Sequence, residues 1–260
     1  MRPARALSIL VILCLIGFGF AQRSNAQPGK TVRIAAAADL QPALEEISRQ
    51  YMLAHPEVSL QTTFGSSGKL AQQILEGAPF DVFFSADEGF ALKLENAGKL
   101  EAGTRRLYAV GRIVVWVPNR LGLDANKLGL KVLNDPSIKR IAIANPEHAP
   151  YGQAAISLLE NSGLLEAIKP KFVYAENVAQ AAQFALTAAD AGIIALSTAK
   201  VEAMSKNGSY WLAPLESHKR LNQTYGVVTG GNRPEVRSFV KILSSKESRA
   251  ILERYGFLIP

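Results

Sequence analysis

The sequence predicts an α/β fold, with mixed, mostly parallel sheets flanked by helices, on three observations. Short apolar and β-branched runs alternate with amphipathic segments along nearly the whole chain. Glycines and prolines punctuate the boundaries between them. The 260 residues are 48% hydrophobic and 20% charged. That suffices for a substantial core, as one large domain or two lobes of roughly 100 residues each.

The elements follow in order. Thr31–Ala37 is β-branched and then small and apolar, the pattern of a buried strand. Leu40–His55 places Leu40, Leu44, Ile47, Tyr51 and Met52 near helical spacing, and Pro56 ends it. Val58–Phe64 alternates as a strand does. Lys69–Glu76 reads as a short helix closed by Gly77. Asp81–Phe84 is a strand, and Asp87–Ala97 a helix with Gly98 just past its end. Gly111–Pro118 carries Ile113, Val114, Val115 and Trp116, a strongly apolar strand. Arg140–Ala144 is a further strand, followed by a loop and a helix over Gln153–Asn161. Lys171–Tyr174, Val178–Thr187 and Ala191–Ala195 repeat strand, helix, strand. Tyr225–Val228 is the last strand. Two helices finish the chain, the second opening with Ser244 and Glu247 at capping-box spacing.

The first 26 residues stand apart. Arg2 and Arg5 precede an apolar run, Ala6 to Ala21, broken by Ser8, and Ser24-Asn25-Ala26 offers small residues for a signal peptidase. This is a secretory signal peptide with cleavage expected before Gln27, and it places the mature protein in the periplasm. The apolar run is short for a membrane span. Cys14, the only cysteine, lies inside it, so neither a disulfide framework nor a thiolate metal site is expected in the mature chain. The net charge of +7 includes Arg2, Arg5 and Arg23, which leaves +4 after cleavage. No dense Lys/Arg block with interleaved aromatics occurs, so nucleic acid is not an expected partner.

Four strand-to-helix junctions hold the candidate chemistry, because ligands in open α/β folds sit beyond the carboxyl ends of strands. In Ala36-Ala37-Ala38-Asp39-Leu40, small residues admit a close ligand and Asp39 stands at a helix N-cap position. In Gly65-Ser66-Ser67-Gly68-Lys69, two hydroxyls precede a helix whose free N–H groups could hold an anion, or the serines simply cap it. In Asn145-Pro146-Glu147-His148-Ala149-Pro150-Tyr151-Gly152, Tyr151 offers a hydroxyl and a backbone N–H, or is a surface aromatic. Glu147 and His148 suggest an acid–base pair for a hydrolase, but adjacent loop residues seldom point together. In Glu176-Asn177-Val178, Asn177 reads as an N-cap that leaves the Val178 N–H free. The mature chain holds only His55, His148 and His218, and no Gly-x-Ser-x-Gly, His-Glu-x-x-His or Gly-x-Gly-x-x-Gly motif. Donors are plentiful and catalysts scarce. Binding without chemistry is the expectation: no enzyme and no cofactor.

These junctions, with Gly77-Ala78-Pro79-Phe80-Asp81-Val82-Phe83-Phe84-Ser85-Ala86-Asp87 and Arg254-Tyr255-Gly256-Phe257, resemble the periplasmic molybdate-binding proteins of bacterial ABC importers, in order across essentially the whole mature chain. The resemblance implies a two-lobed, type II periplasmic binding fold, with lobe 1 from residues 27–112 and 217–260 and lobe 2 from 113–216. It implies a monomer that captures molybdate or tungstate in an interlobe cleft and delivers it to a membrane permease. It also implies oxyanion contacts at Asp39, Ser67 (hydroxyl and N–H), Tyr151 (N–H or hydroxyl) and Val178 (N–H), with no direct cation ligand.

Two departures from that family stand out. Relatives often carry Ser, Thr or Asn where this chain has Asp39. The carboxylate can turn away to cap its helix, which is the favoured reading, or be protonated and donate to the oxyanion. Otherwise the ligand differs, another oxyanion or a cation. Where some relatives place a ligand Tyr after the strand Ile193-Ile194, this chain has Ala195, and Tyr151 is expected to supply the hydroxyl instead.

Overall fold

The computed structural model describes residues 30–260; the signal-peptide reading and Cys14 fall outside them. The described residues begin with β1 (Lys30–Ala37), a single 3-10 turn (Ala38–Leu40), α1 (Gln41–Ala54), β2 (Val58–Gly65), α2 (Ser67–Leu75), β3 (Val82–Ser85), α3 (Glu88–Asn96) and β4 (Arg106–Gly111). It continues through β5 (Ile113–Pro118), α4 (Ala125–Leu128), β6 (Ile141–Ala144), α5 (Pro150–Asn161), α6 (Leu165–Ile168), β7 (Phe172–Ala175), α7 (Val178–Thr187) and β8 (Ala191–Ala195). Then come α8 (Leu196–Ala199), α9 (Glu202–Ser205), β9 (Gly208–Leu212), β10 (Leu221–Val227), α10 (Pro234–Ile242) and α11 (Lys246–Arg254).

Two five-stranded sheets result, ordered β2-β1-β3-β10-β4 and β7-β6-β8-β5-β9. Each is mixed. β1 runs parallel to β2 and β3, and β6 parallel to β7 and β8. β10 is antiparallel to β3 and β4, and β5 antiparallel to β8 and β9. The chain crosses between sheets twice. Arg112 alone separates β4 from β5, and residues 213–220 lead back from β9 to β10. The two crossings touch: an Arg112 guanidinium nitrogen donates to the Ala213 carbonyl at 3.3 Å.

Burial on both faces explains the unbroken apolar runs. In β1, Ile34 and Ala36 pack with Leu44, Ile47, Phe84 and Phe239 on one side, while Ala35 packs with Leu70, Ile74, Phe83 and Leu94 on the other. Period-2 geometry sends neighbours to opposite faces, so a strand covered on both faces reads as continuously hydrophobic. All six residues of β5 are buried among α5, α7 and β8. Trp116 donates its indole N–H to the Met204 carbonyl at 3.2 Å, which satisfies the one polar atom of that side chain.

Several boundaries differ from the sequence reading. Gly111 ends β4 rather than opening β5. Helices α2 and α5 begin earlier, at Ser67 and Pro150, because a helix N-terminus carries no hydrophobic period to announce it. Ser245 rather than Ser244 caps α11, accepting the Ser248 N–H at 3.1 Å. β4 and β9 were not read as separate strands, and no helix among the described residues is long and apolar enough to cross a membrane.

Candidate functional site

The carboxyl ends of β1, β2, β6 and β7 lead into the 3-10 turn at Ala38–Leu40 and into α2, α5 and α7. Those four junctions meet. They enclose a small cavity lined by Asp39, Ser67, Tyr151 and Val178, with Ala37, Ala38, Gly65, Ser66, Ala86, Ala149, Pro150 and Asn177. Its free volume is about 10 Å³. Asp39 and Ser67 come from elements of the first sheet, Tyr151 and Val178 from elements of the second. All four sequence-derived candidates therefore lie in one place, and all are buried.

Three of the lining residues stand at helix N-termini. Ser67 is the first residue of α2, Tyr151 the second of α5 after Pro150, and Val178 the first of α7. N–H groups in the first turn of a helix have no partner within it, and each helix adds about half a positive charge at that end. Asn177 caps α7 as read from sequence, its side chain accepting the Gln180 N–H at 3.0 Å. Ser67 Oγ accepts the Ala86 N–H at 3.0 Å. A hydroxyl that accepts there keeps its own hydrogen to give elsewhere. Among the residues lining the cavity, Asp39 alone is charged.

Asp39 does not cap its helix. No side-chain cap bond forms at the 3-10 turn or at the start of α1. Instead its Oδ2 accepts from the Tyr151 hydroxyl at 2.9 Å and from the Gln223 side-chain amide at 2.7 Å. Two side-chain donors converge from α5 and β10 where water is excluded, and that pair outcompetes a cap bond. Tyr108 extends the network, donating to Gln223 Oε1 at 3.2 Å, and Ser197 donates to the Asp39 carbonyl at 2.6 Å. The other carboxyl oxygen, Oδ1, is buried without a hydrogen-bond partner. Burial raises the Asp39 pKa to about 6 from its ordinary 3.8, against the lowering effect of the Tyr151 and Gln223 bonds. Burial and the nearby Asp39 charge push the Tyr151 hydroxyl well above its usual value.

The Tyr151 hydroxyl thus donates to Asp39 rather than standing free, and Tyr151 lines the cavity. Gln223, absent from the sequence reading, is completely buried on β10, and its only sequence signal is a polar residue interrupting a strand. Gly111 was also missed: a Cβ there would meet the Tyr151 hydroxyl at 2.4 Å and the Gln223 amide at 2.8 Å. Only glycine leaves that network room.

Contacts between the two sheet halves surround the cavity. Ser66 Oγ lies 2.9 Å from His148 Nδ1, and the Gly68 N–H donates to the His148 carbonyl at 3.0 Å. Lys69 pairs with Glu176 at the half-exposed rim. His148 is thereby turned from Glu147, whose carboxylate accepts from Asn145 at 3.3 Å. The hydrolase pair does not form. Among the described residues no group of three or more His, Cys, Asp or Glu is placed to hold a metal ion.

Residues 32–258 match the family of bacterial extracellular solute-binding proteins. The chain is 33% identical over 247 residues to the molybdate-binding protein ModA of Azotobacter vinelandii, covering 94% of this chain and 96% of that one. It is 31% identical to ModA of Escherichia coli, over 94% of this chain and 95% of that one. The solved structure of the Azotobacter vinelandii periplasmic molybdate-binding protein superposes with a TM-score of 0.81 at 32% identity, covering 88% of this chain and 99% of that one. Sequence and fold agree that this chain belongs to the molybdate-binding branch of the bacterial extracellular solute-binding proteins.

Proposed function

We propose that the protein is the periplasmic, substrate-binding component of an ABC importer and captures molybdate, with tungstate as an alternative guest, in the cavity between its two sheet halves. It is a binding protein and not an enzyme. The observation that carries the reading is the meeting of three helix N-termini, those of α2, α5 and α7, around one enclosed space without a cationic side chain. Preplaced N–H dipoles replace the water shell of a tetrahedral dianion at little ordering cost. The Ser67 Oγ–H and the N–H groups of Ser67, Tyr151 and Val178 are the assigned donors, all to the anion's oxygens. Asp39 borders the same space.

Lobes 27–112 with 217–260, and 113–216, hold the guest between them about the paired crossings. The loaded protein then presents the anion to a membrane permease. Calorimetry with molybdate, tungstate, sulfate and phosphate tests the reading. A 1:1 complex with molybdate or tungstate, much tighter than with sulfate, is expected. Heat with sulfate or phosphate and none with molybdate or tungstate overturns the ligand assignment.

A further inference from the structure

We propose that Asp39 is the proton-linked specificity element of this site: it takes up one proton as the dianion binds and donates it from Oδ1 to an oxygen of the guest. The inference rests on the oxyanion reading above. Its starting point is an asymmetry in one carboxyl group. Oδ2 is held by two donors, Tyr151 and Gln223, while Oδ1 has no partner although the side chain is completely buried. Asp39 also lines the cavity. A buried carboxylate oxygen without a donor is costly. A protonated one becomes an O–H donor, the kind of group an oxyanion needs.

The surroundings offset the charge only through neutral donors, the Tyr151 and Gln223 side chains and the Asp39 and Leu40 backbone. Tyr151 faces Asp39 from α5 and Gln223 from β10. Tyr108 stands behind Gln223 on β4, and Ser197 of α8 bonds the backbone carbonyl rather than the carboxyl. The tyrosines are neutral, each held well above its usual pKa. No Lys, Arg or His acts on the carboxyl, whose pKa of about 6 is set first by burial. The empty protein is therefore ionised at Asp39 above about pH 6. A dianion entering the same space disfavours a second negative charge and drives the pKa higher. The balance is one proton from solvent per anion bound, no bond to the metal atom forming or breaking.

The sign follows. The bound-state pKa lies above the free-state value, so binding is strongest and flat below about pH 6. Affinity then falls by up to about tenfold per pH unit above it. This gives the chain a feature that a Ser, Thr or Asn in place of Asp39 would lack.

The test is isothermal titration of molybdate and tungstate into the full mature protein between about pH 5.5 and 9, in buffers of high and low ionisation enthalpy. For the native chain, about one proton taken up per anion near pH 8 is expected, with affinity falling across the range. Asp39→Asn should show no linked proton and a flat profile, binding tighter than the native chain at the alkaline end. Asp39→Ser serves the same purpose if Asn disturbs packing. A carboxylic-acid C=O stretch appearing in the infrared on binding, and absent in Asp39→Asn, would identify the proton's location. Native binding without proton uptake, or an unchanged pH slope in both variants, overturns the proton-linked role and leaves the oxyanion reading standing. Absence of molybdate and tungstate binding at every pH overturns both.

Discussion

Replacing Asp39 by Asn in the ligand-free protein should stabilise it, by an amount that depends on pH. The side chain is completely buried and no cation offsets its charge. Raising the carboxyl from 3.8 to about 6 costs the folded chain about 3 kcal/mol once pH exceeds 6. Asn keeps an oxygen for the Tyr151 and Gln223 donors. Its NH2 replaces Oδ1 and lacks an acceptor, a loss of about 1 kcal/mol. The net gain is about 2 kcal/mol near pH 8, or roughly 4–8 °C in Tm for a chain of this size. A group whose folded pKa is raised contributes fully below its unfolded pKa, here 3.8, and its contribution is lost as pH rises through about 6. The variant's advantage should therefore shrink as pH falls through that window and vanish or reverse slightly near pH 4. Thermal unfolding at three pH values, in buffers free of phosphate, sulfate and other oxyanions, measures it. An advantage that stays constant with pH, or a variant destabilised near pH 8, would refute the assignment of Asp39 as a buried, uncompensated carboxylate.

Three further substitutions test the site's construction. Ser67→Ala removes a hydroxyl that both accepts the Ala86 N–H and faces the cavity, and should weaken molybdate binding by about 1.5–3 kcal/mol, read by calorimetry. Gly68→Ala places a Cβ 2.6 Å from the His148 carbonyl, so the α2 terminus cannot approach the α5 loop. Affinity should fall at least tenfold, and small-angle scattering with molybdate should show a more open molecule than native. Lys69→Ala breaks only a half-exposed ion pair with Glu176, so affinity should change by less than about 1 kcal/mol, and less still at high salt.

The α/β alternation was legible because β1, β3, β5 and β8 are buried on both faces and read as unbroken apolar runs. Their helices carry clear 3.6-residue periods. β4 and β9 were not. Leu107 is exposed at the start of β4, and every residue of β9 is only half-buried, so neither carries a clean period. At the site, serines and Asn177 before a helical period marked the Ser67 and Val178 junctions, and the family resemblance singled out Ser67, Tyr151 and Val178 as contacts. The direction of Asp39 was not legible. It depends on Gln223, which lies 184 positions away and meets the carboxyl only through β10's place in the sheet. Local capping preference pointed one way, and a long-range pair of donors decided the other.

That place in the sheet also has a bearing on biosynthesis. β10 is the last strand made, yet it sits between β3 and β4 near the middle of its sheet. A nascent or truncated chain ending before Leu221 holds β2-β1-β3 and β4 as fragments with nothing to join them, and Asp39 without its amide donor. The first sheet thus cannot be completed until nearly the whole polypeptide has been synthesised. Pairings of such sequence separation form slowly, so the carboxyl of Asp39 gains its amide partner late in folding.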